Sequence, residues 1–141
     1  MDNHSKKVRS YNMSQIRSTD SEPELMVRKY LFSKGLRYRK NAKDLPGKPD
    51  IVLSKYKTVV FVNGCFWHGH HGCKYFVMPK TNTDYWSSKI NRNIDRDKEN
   101  YTKLEELGWN VITVWECQLK KDKRENTLEY LYYNILRNIK D

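Results

Sequence analysis

What this chain has little of narrows it first. No apolar run approaches the ~20 residues that a membrane-spanning helix requires, and Met1–Lys7 lacks the apolar core of a signal peptide. A cytoplasmic location of bacterial type, with no membrane partner, is therefore expected. Cysteine is scarce and odd in number, with three in 141 residues. In a reducing compartment that set argues against a disulfide framework and for metal ligation or free thiols. No internal repeat, low-complexity tract or linker interrupts the sequence, and its length suits one domain with its own core. Acidic residues are the minority charge, 17 Asp and Glu against 27 Lys and Arg, for a formal net charge of +10. That imbalance favours a polyanionic partner, and ten Tyr and four Trp supply stacking surfaces beside it. A basic surface serving solubility alone would carry the same charge. At 38% hydrophobic and 31% charged residues, the composition is that of a folded soluble domain.

What is present concentrates in Asn63-Gly64-Cys65-Phe66-Trp67-His68-Gly69-His70-His71-Gly72-Cys73. This stretch holds two of the three cysteines, three of the four histidines and an exposed-looking Phe-Trp pair between glycines. It follows an apolar run, Thr58–Val62, that reads as a buried strand. A reactive loop at the end of a core strand is a common site arrangement in α/β folds.

Along the chain, residues 1–20 read as a basic arm able to lie along a nucleic acid, or as an idle terminus. Ser21-Glu22-Pro23-Glu24 opens a helix with a capping-box pattern, and Gly35 stops it. Glu24 thus has a sufficient structural explanation in its capping position. Leu36–Lys40 reads as a short edge strand. Leu45–Pro49 is turn chemistry that delivers Asp50 to the start of Ile51–Leu53, and a polar turn then leads into Thr58–Val62, forming an antiparallel hairpin. A long helix is expected from about Asp84 to Leu107, with Trp86, Ile90, Ile94, Tyr101, Leu104 and Leu107 inward and Lys89, Arg92, Arg96 and Lys103 outward. Val111–Trp115 is a third core strand, with Cys117 just beyond it, and a C-terminal amphipathic helix runs from about Arg124 to Ile139. One compact α/β domain over residues 21–141 follows.

Cys65, His70, Cys73 and Cys117 form a complete set for tetrahedral structural zinc, provided the fold brings Cys117 in. His71 could replace His70, and free thiols in an apolar pocket are the alternative. His68 is then left over, suited to general-base work or to a backbone hydrogen bond. Asp50, presented by Pro49, stands where a divalent metal for phosphodiester hydrolysis would be held, although Pro-Asp is common in turns. Phe66, Trp67 and Trp86 could wedge between bases or pack in the core.

These residues carry a resemblance. Leu45–Asp50, Val62–His68, Gly108-Trp109 and Val114–Cys117, with Arg9–Met13 and Asn93–Asp97, resemble the very short patch repair (Vsr) mismatch endonucleases along essentially the whole chain. The resemblance implies a restriction-endonuclease-like α/β fold, a mixed sheet flanked by helices, bearing a structural zinc site. It implies an Mg²⁺-dependent endodeoxyribonuclease that nicks duplex DNA 5′ of the thymine in a T·G mismatch left by 5-methylcytosine deamination. It implies a monomer, nucleoid-associated when on DNA, that works beside other mismatch-repair proteins. By motif, Asp50 and the Val62 backbone carbonyl would bind Mg²⁺, His68 would be the general base and Glu24 an assisting residue. Cys65, His70, Cys73 and Cys117 would hold Zn²⁺, and Phe66, Trp67 and Trp86 would intercalate. Thr58–Val62 carries neither the acid nor the lysine usual in the wider nuclease superfamily, a lack that Vsr-like enzymes share. Val62 stands where some members have threonine, Asn63 where some have histidine, and Gly72 is an insertion relative to some. A restriction or recombination nuclease of the same fold, and a non-catalytic zinc-stabilised DNA-binding module, are the competing readings.

Overall fold

Ser21 sets the first element. Its extended backbone and its hydroxyl, which accepts the Glu24 N–H at 3.4 Å, cap helix α1 (Glu22–Ser33), with Pro23 in the first turn. The computed structural model describes residues 21–138, so the basic arm expected over residues 1–20 lies outside it, as does Ile139. α1 buries Val27 and Leu31, and with them two charged side chains, Glu24 and Arg28. It ends at Lys34, where Gly35 takes φ +82°.

The expected strand over Leu36–Lys40 shrinks to β1 (Arg39–Lys40), because Leu36 turns into the core instead of pairing. β2 (Ile51–Leu53) and β3 (Thr58–Asn63) form the expected antiparallel hairpin, closed by a short helical turn over Ser54–Tyr56 and by Lys57 in the left-handed region. Every residue of both strands is buried. Helix α2 (Thr83–Glu106) then crosses over, and β4 (Asn110–Trp115) pairs with β3 in parallel, from Thr58 opposite Asn110 to Asn63 opposite Trp115. Helix α3 (Arg124–Arg137) closes the chain, and the sheet order is β1-β2-β3-β4.

β3 alternates between two layers, as a strand buried on both faces must. Val60 and Val62 face a core with Val27, Leu31, Leu128, Leu131 and Ile135 from α1 and α3, while Val59 and Phe61 face Leu104, Tyr101 and Trp109. Each fully buried aliphatic side chain contributes about 1.5–3 kcal/mol. α2 is less buried than its periodicity suggested: Ile90 and Leu104 are sealed, but Leu107 is 57% exposed. No described helix is long and apolar enough to cross a membrane.

The parallel pairing of β3 and β4 has one consequence for function. Both strands end at the same edge of the sheet, so the loop after Asn63 and the turn after Trp115 start side by side. Ligands far apart in sequence meet there.

Candidate active site and metal centre

Asp50 precedes β2, and antiparallel pairing puts it beside the C-terminal end of β3. There its Oδ2 accepts the Val62 N–H at 2.7 Å. Gly47 makes this approach possible. It takes φ +76°, and a Cβ in its place would sit 3.0 Å from Asn100 Cβ and 3.2 Å from the Phe61 ring. Asp50 and Glu24 line one cleft of about 260 Å³ with Lys48, Asn63, Trp67, His68, Asn93, Arg96, Asp97 and Glu116. Burial chiefly, and then the neighbouring Glu24 carboxylate, push the Asp50 carboxyl up to about 7. Two carboxylates in one cleft, Glu24 buried and Asp50 half-buried, are an unfavourable arrangement that a divalent cation would relieve, so the donor set fits such an ion.

His68 enters the same cleft from the loop. Its Nδ1 lies 2.6 Å from Asp97 Oδ2 on α2. An ionised carboxylate can only accept, so Nδ1 is the donor of this pair, and in the neutral imidazole the lone pair is then on Nε2. This His–Asp pair escaped the reading of the residues, which fixed on His68 alone. Asn93, Asp97 and Tyr101 recur every four residues on α2, the first two lining the cleft and Tyr101 packing beside Phe61: Asn93 Nδ2 donates to the Trp67 carbonyl at 2.9 Å, and Asn63 Nδ2 donates to the Tyr101 hydroxyl at 2.9 Å. The signal was the spacing of polar groups within a helix otherwise read for its apolar ones. Arg96, read as a solvent-face residue, also lines the cleft.

The loop between His68 and Cys73 is held by packing. Gly69 takes φ +60°, and a Cβ there would lie 2.5 Å from Ile94 Cδ1. Backbone bonds from His68 N–H to the Gly64 carbonyl and from His70 N–H to the Cys65 carbonyl wind it tightly. The winding gathers Cys65, His70 and Cys73 beside Cys117 from just past the end of β4, and the four ligand atoms all lie within 4.8 Å of one another. Three sulfurs and an imidazole at that spacing could hold a metal ion, and their softness suits zinc. His70 Nδ1 is 3.5 Å from Cys117 Sγ, and its ring stacks on Trp115 at 4.0 Å and 3°. His71 is exposed, lies edge-on to Phe76 and is not among the four gathered ligands, so between the two imidazoles the fold favours His70. Burial pushes the Cys65 thiol up to about 12, so ligation must displace its proton.

Phe66, Trp67 and Trp86 are half-buried and pack edge-on to one another at 5.3–5.8 Å. They belong neither to the sealed core nor to open solvent, and the Lys89 ammonium lies 5.9 Å from the Trp67 ring centre.

Comparison with known proteins bears on this arrangement directly. The family profile described as "DNA mismatch endonuclease Vsr" matches residues 1–74. The DNA mismatch endonuclease Vsr of Escherichia coli is 44% identical over 119 residues, 84% of this chain and 76% of that protein. This chain belongs to the Vsr family. Other relatives carry nicking-enzyme names: the type II nicking enzyme V.NmeAIP of Neisseria meningitidis is 58% identical over 79% of each chain. V.XorIIP of Xanthomonas oryzae is 50% identical over 79% of this chain and 81% of its own length. Membership of the Vsr family makes the protein an endonuclease of DNA on a restriction-endonuclease-like fold.

Proposed function

We propose that this Vsr-family protein nicks duplex DNA on the 5′ side of the thymine in a T·G mismatch, the lesion left when 5-methylcytosine deaminates. The convergence of Glu24, Asp50 and the His68–Asp97 pair in one cleft, walled by Trp67, is the observation that carries the reading. Asp50 and the Val62 carbonyl would hold Mg²⁺. When bound, that ion supplies Lewis-acid polarisation of the scissile phosphate and charge stabilisation at the leaving 3′ oxygen. His68 takes the proton of the attacking water at Nε2 as the water oxygen bonds to phosphorus. Asp97 fixes the imidazole tautomer and steadies the imidazolium that forms. The P–O3′ bond breaks and the departing oxygen is protonated from solvent, leaving a 3′ hydroxyl and a 5′ phosphate on the thymine. Glu24 assists beside Asp50.

Phe66, Trp67 and Trp86 would wedge between base pairs next to the mismatch, where a wobble pair costs least to unstack. Cys65, His70, Cys73 and Cys117 would bind Zn²⁺ structurally. The enzyme would act as a monomer in the cytoplasm, on the nucleoid, beside other mismatch-repair proteins. The nicking-enzyme names of several relatives support a second reading, a related nuclease with another target.

Strand-specific cleavage of labelled duplexes with Mg²⁺ separates the two. One T·G pair in several flanking contexts is compared with matched T·A and C·G controls. Nicking 5′ of the mismatched T alone, abolished in Asp50→Ala, supports the repair activity; cutting of matched DNA supports the second reading.

A further inference from the structure

Behind the cleft lies a buried cation that no step above uses. Arg28 sits one helical turn after Glu24 on α1, and its Nη1 is 3.8 Å from Glu24 Oε2. The two side chains are only 6% and 9% exposed. Their neighbours on the same face, Val27 and Leu31, are fully buried. A charged pair in such a place is expensive to desolvate and is seldom more stable than apolar residues of the same volume. A purely structural purpose is therefore weakly served by Arg28. Its partner Glu24 lines the cleft, whereas Arg28 is not among the cleft-lining residues and lies against a separate groove walled by Leu25, Phe32 and Tyr38. Its charge also reaches Asp50. An arginine in a protein does not lose its proton, so this charge is permanent.

We infer that Arg28 is a positioning residue of the cation site: it anchors Glu24 from behind and offsets one of the two carboxylate charges, setting how strongly the cleft draws a divalent cation. The inference rests on the proposed cation site. With Arg28 present, part of the negative charge that Glu24 and Asp50 offer an incoming ion is offset. Across that 3.8 Å the guanidinium also biases the Glu24 carboxylate toward one orientation before the ion arrives. Affinity is thereby given up for a fixed geometry.

The test is calorimetric titration of Mg²⁺ into the zinc-loaded protein at pH 9, where proton competition is small, with turnover measured at saturating Mg²⁺. Arg28→Met, confirmed folded by melting and zinc content, is expected to bind Mg²⁺ about tenfold more tightly, since one fixed positive charge has gone. Its turnover should fall about tenfold, with the KM for DNA unchanged. Arg28→Lys keeps the charge and loses the planar fork, so it should bind Mg²⁺ within about twofold of the parent while turnover falls several-fold. A folded Arg28→Met with parental Mg²⁺ affinity overturns the inference. If Arg28→Met does not fold, Arg28→Lys decides, and unaltered turnover there overturns it. Asp50→Asn serves as the control: binding must be lost in that variant, and Mg²⁺ affinity that survives would sink the cation-site reading itself rather than the role of Arg28.

Discussion

The cleft and the Cys/His cluster share one loop, Gly64–Cys73, yet they are assembled differently. Three of the four cluster residues come from that loop, and the fourth, Cys117, is delivered by the parallel pairing of β3 with β4. The cleft draws Glu24 from α1, Asp50 from the approach to β2, His68 from the loop and Asp97 from α2. The cluster is thus a local knot tied once to the sheet, whereas the cleft is a meeting of four elements. The cluster should therefore govern stability, and the cleft should carry strain for the sake of chemistry. Asp50 is where that cost falls, since burial and the Glu24 carboxylate push its carboxyl up to about 7.

Breaking the cleft should give the largest effect on activity. Asp50→Asn is expected to lower nicking by more than about a thousandfold, several kcal/mol in the barrier. The same change should stabilise the metal-free cleft at alkaline pH. The folded Asp50 pKa lies above its unfolded value, so its stabilising contribution is complete below about pH 4 and is lost as pH rises through about 7. The Asn variant removes that loss, worth at most about 4 kcal/mol. Melting curves of cation-free parent and variant at pH 5 and pH 8.5 check it: a gap that fails to widen at the higher pH would contradict the assignment.

His68→Ala should cost about a hundred- to ten-thousandfold in nicking with little change in melting. Asp97→Asn should cost less, because it disturbs only the tautomer and orientation of the imidazole. Single-turnover rates for the two variants order them, and equal losses would make Asp97 more than an orienting partner.

Breaking the cluster should reverse the pattern. Cys117→Ala is expected to lose bound zinc by elemental analysis and to melt several kcal/mol less stably, with activity falling as a consequence of a loosened loop. A variant that keeps full stability without zinc would show that packing alone holds the loop. The smallest effect sharpens the comparison at its seam. Gly69→Ala forces a methyl against Ile94 and a left-handed φ on a side chain, at a cost of about 1–3 kcal/mol. If the seam is rigid, nicking and melting should decline together.

The reading of the residues succeeded where structure is local. The cap at Ser21, the turn before Asp50, the hairpin of β2 and β3 and the start of α3 each depend on residues within a few positions, and each stands where the pattern put it. It fell short at Leu36, where burial outweighed strand pairing, and at Leu107, whose apolar side chain finds no cover. Arg96 is exposed, as the helical periodicity has it, but that periodicity divides a helix into core and outside and has no category for the wall of a cleft, which Arg96 also lines.

By itself, then, the sequence determined the elements, the soft-ligand loop and the family, because propensity, turn chemistry and contiguous motifs are properties of neighbouring residues. Only the tertiary structure decided that Asp97 backs His68, that His70 rather than His71 lies in the cluster, and that a buried arginine stands behind Glu24. Those are contacts between residues brought together by the parallel strand crossover and by helix packing. Their free energies come from burial and charge at a distance of several ångströms, which the order of residues along the chain does not record.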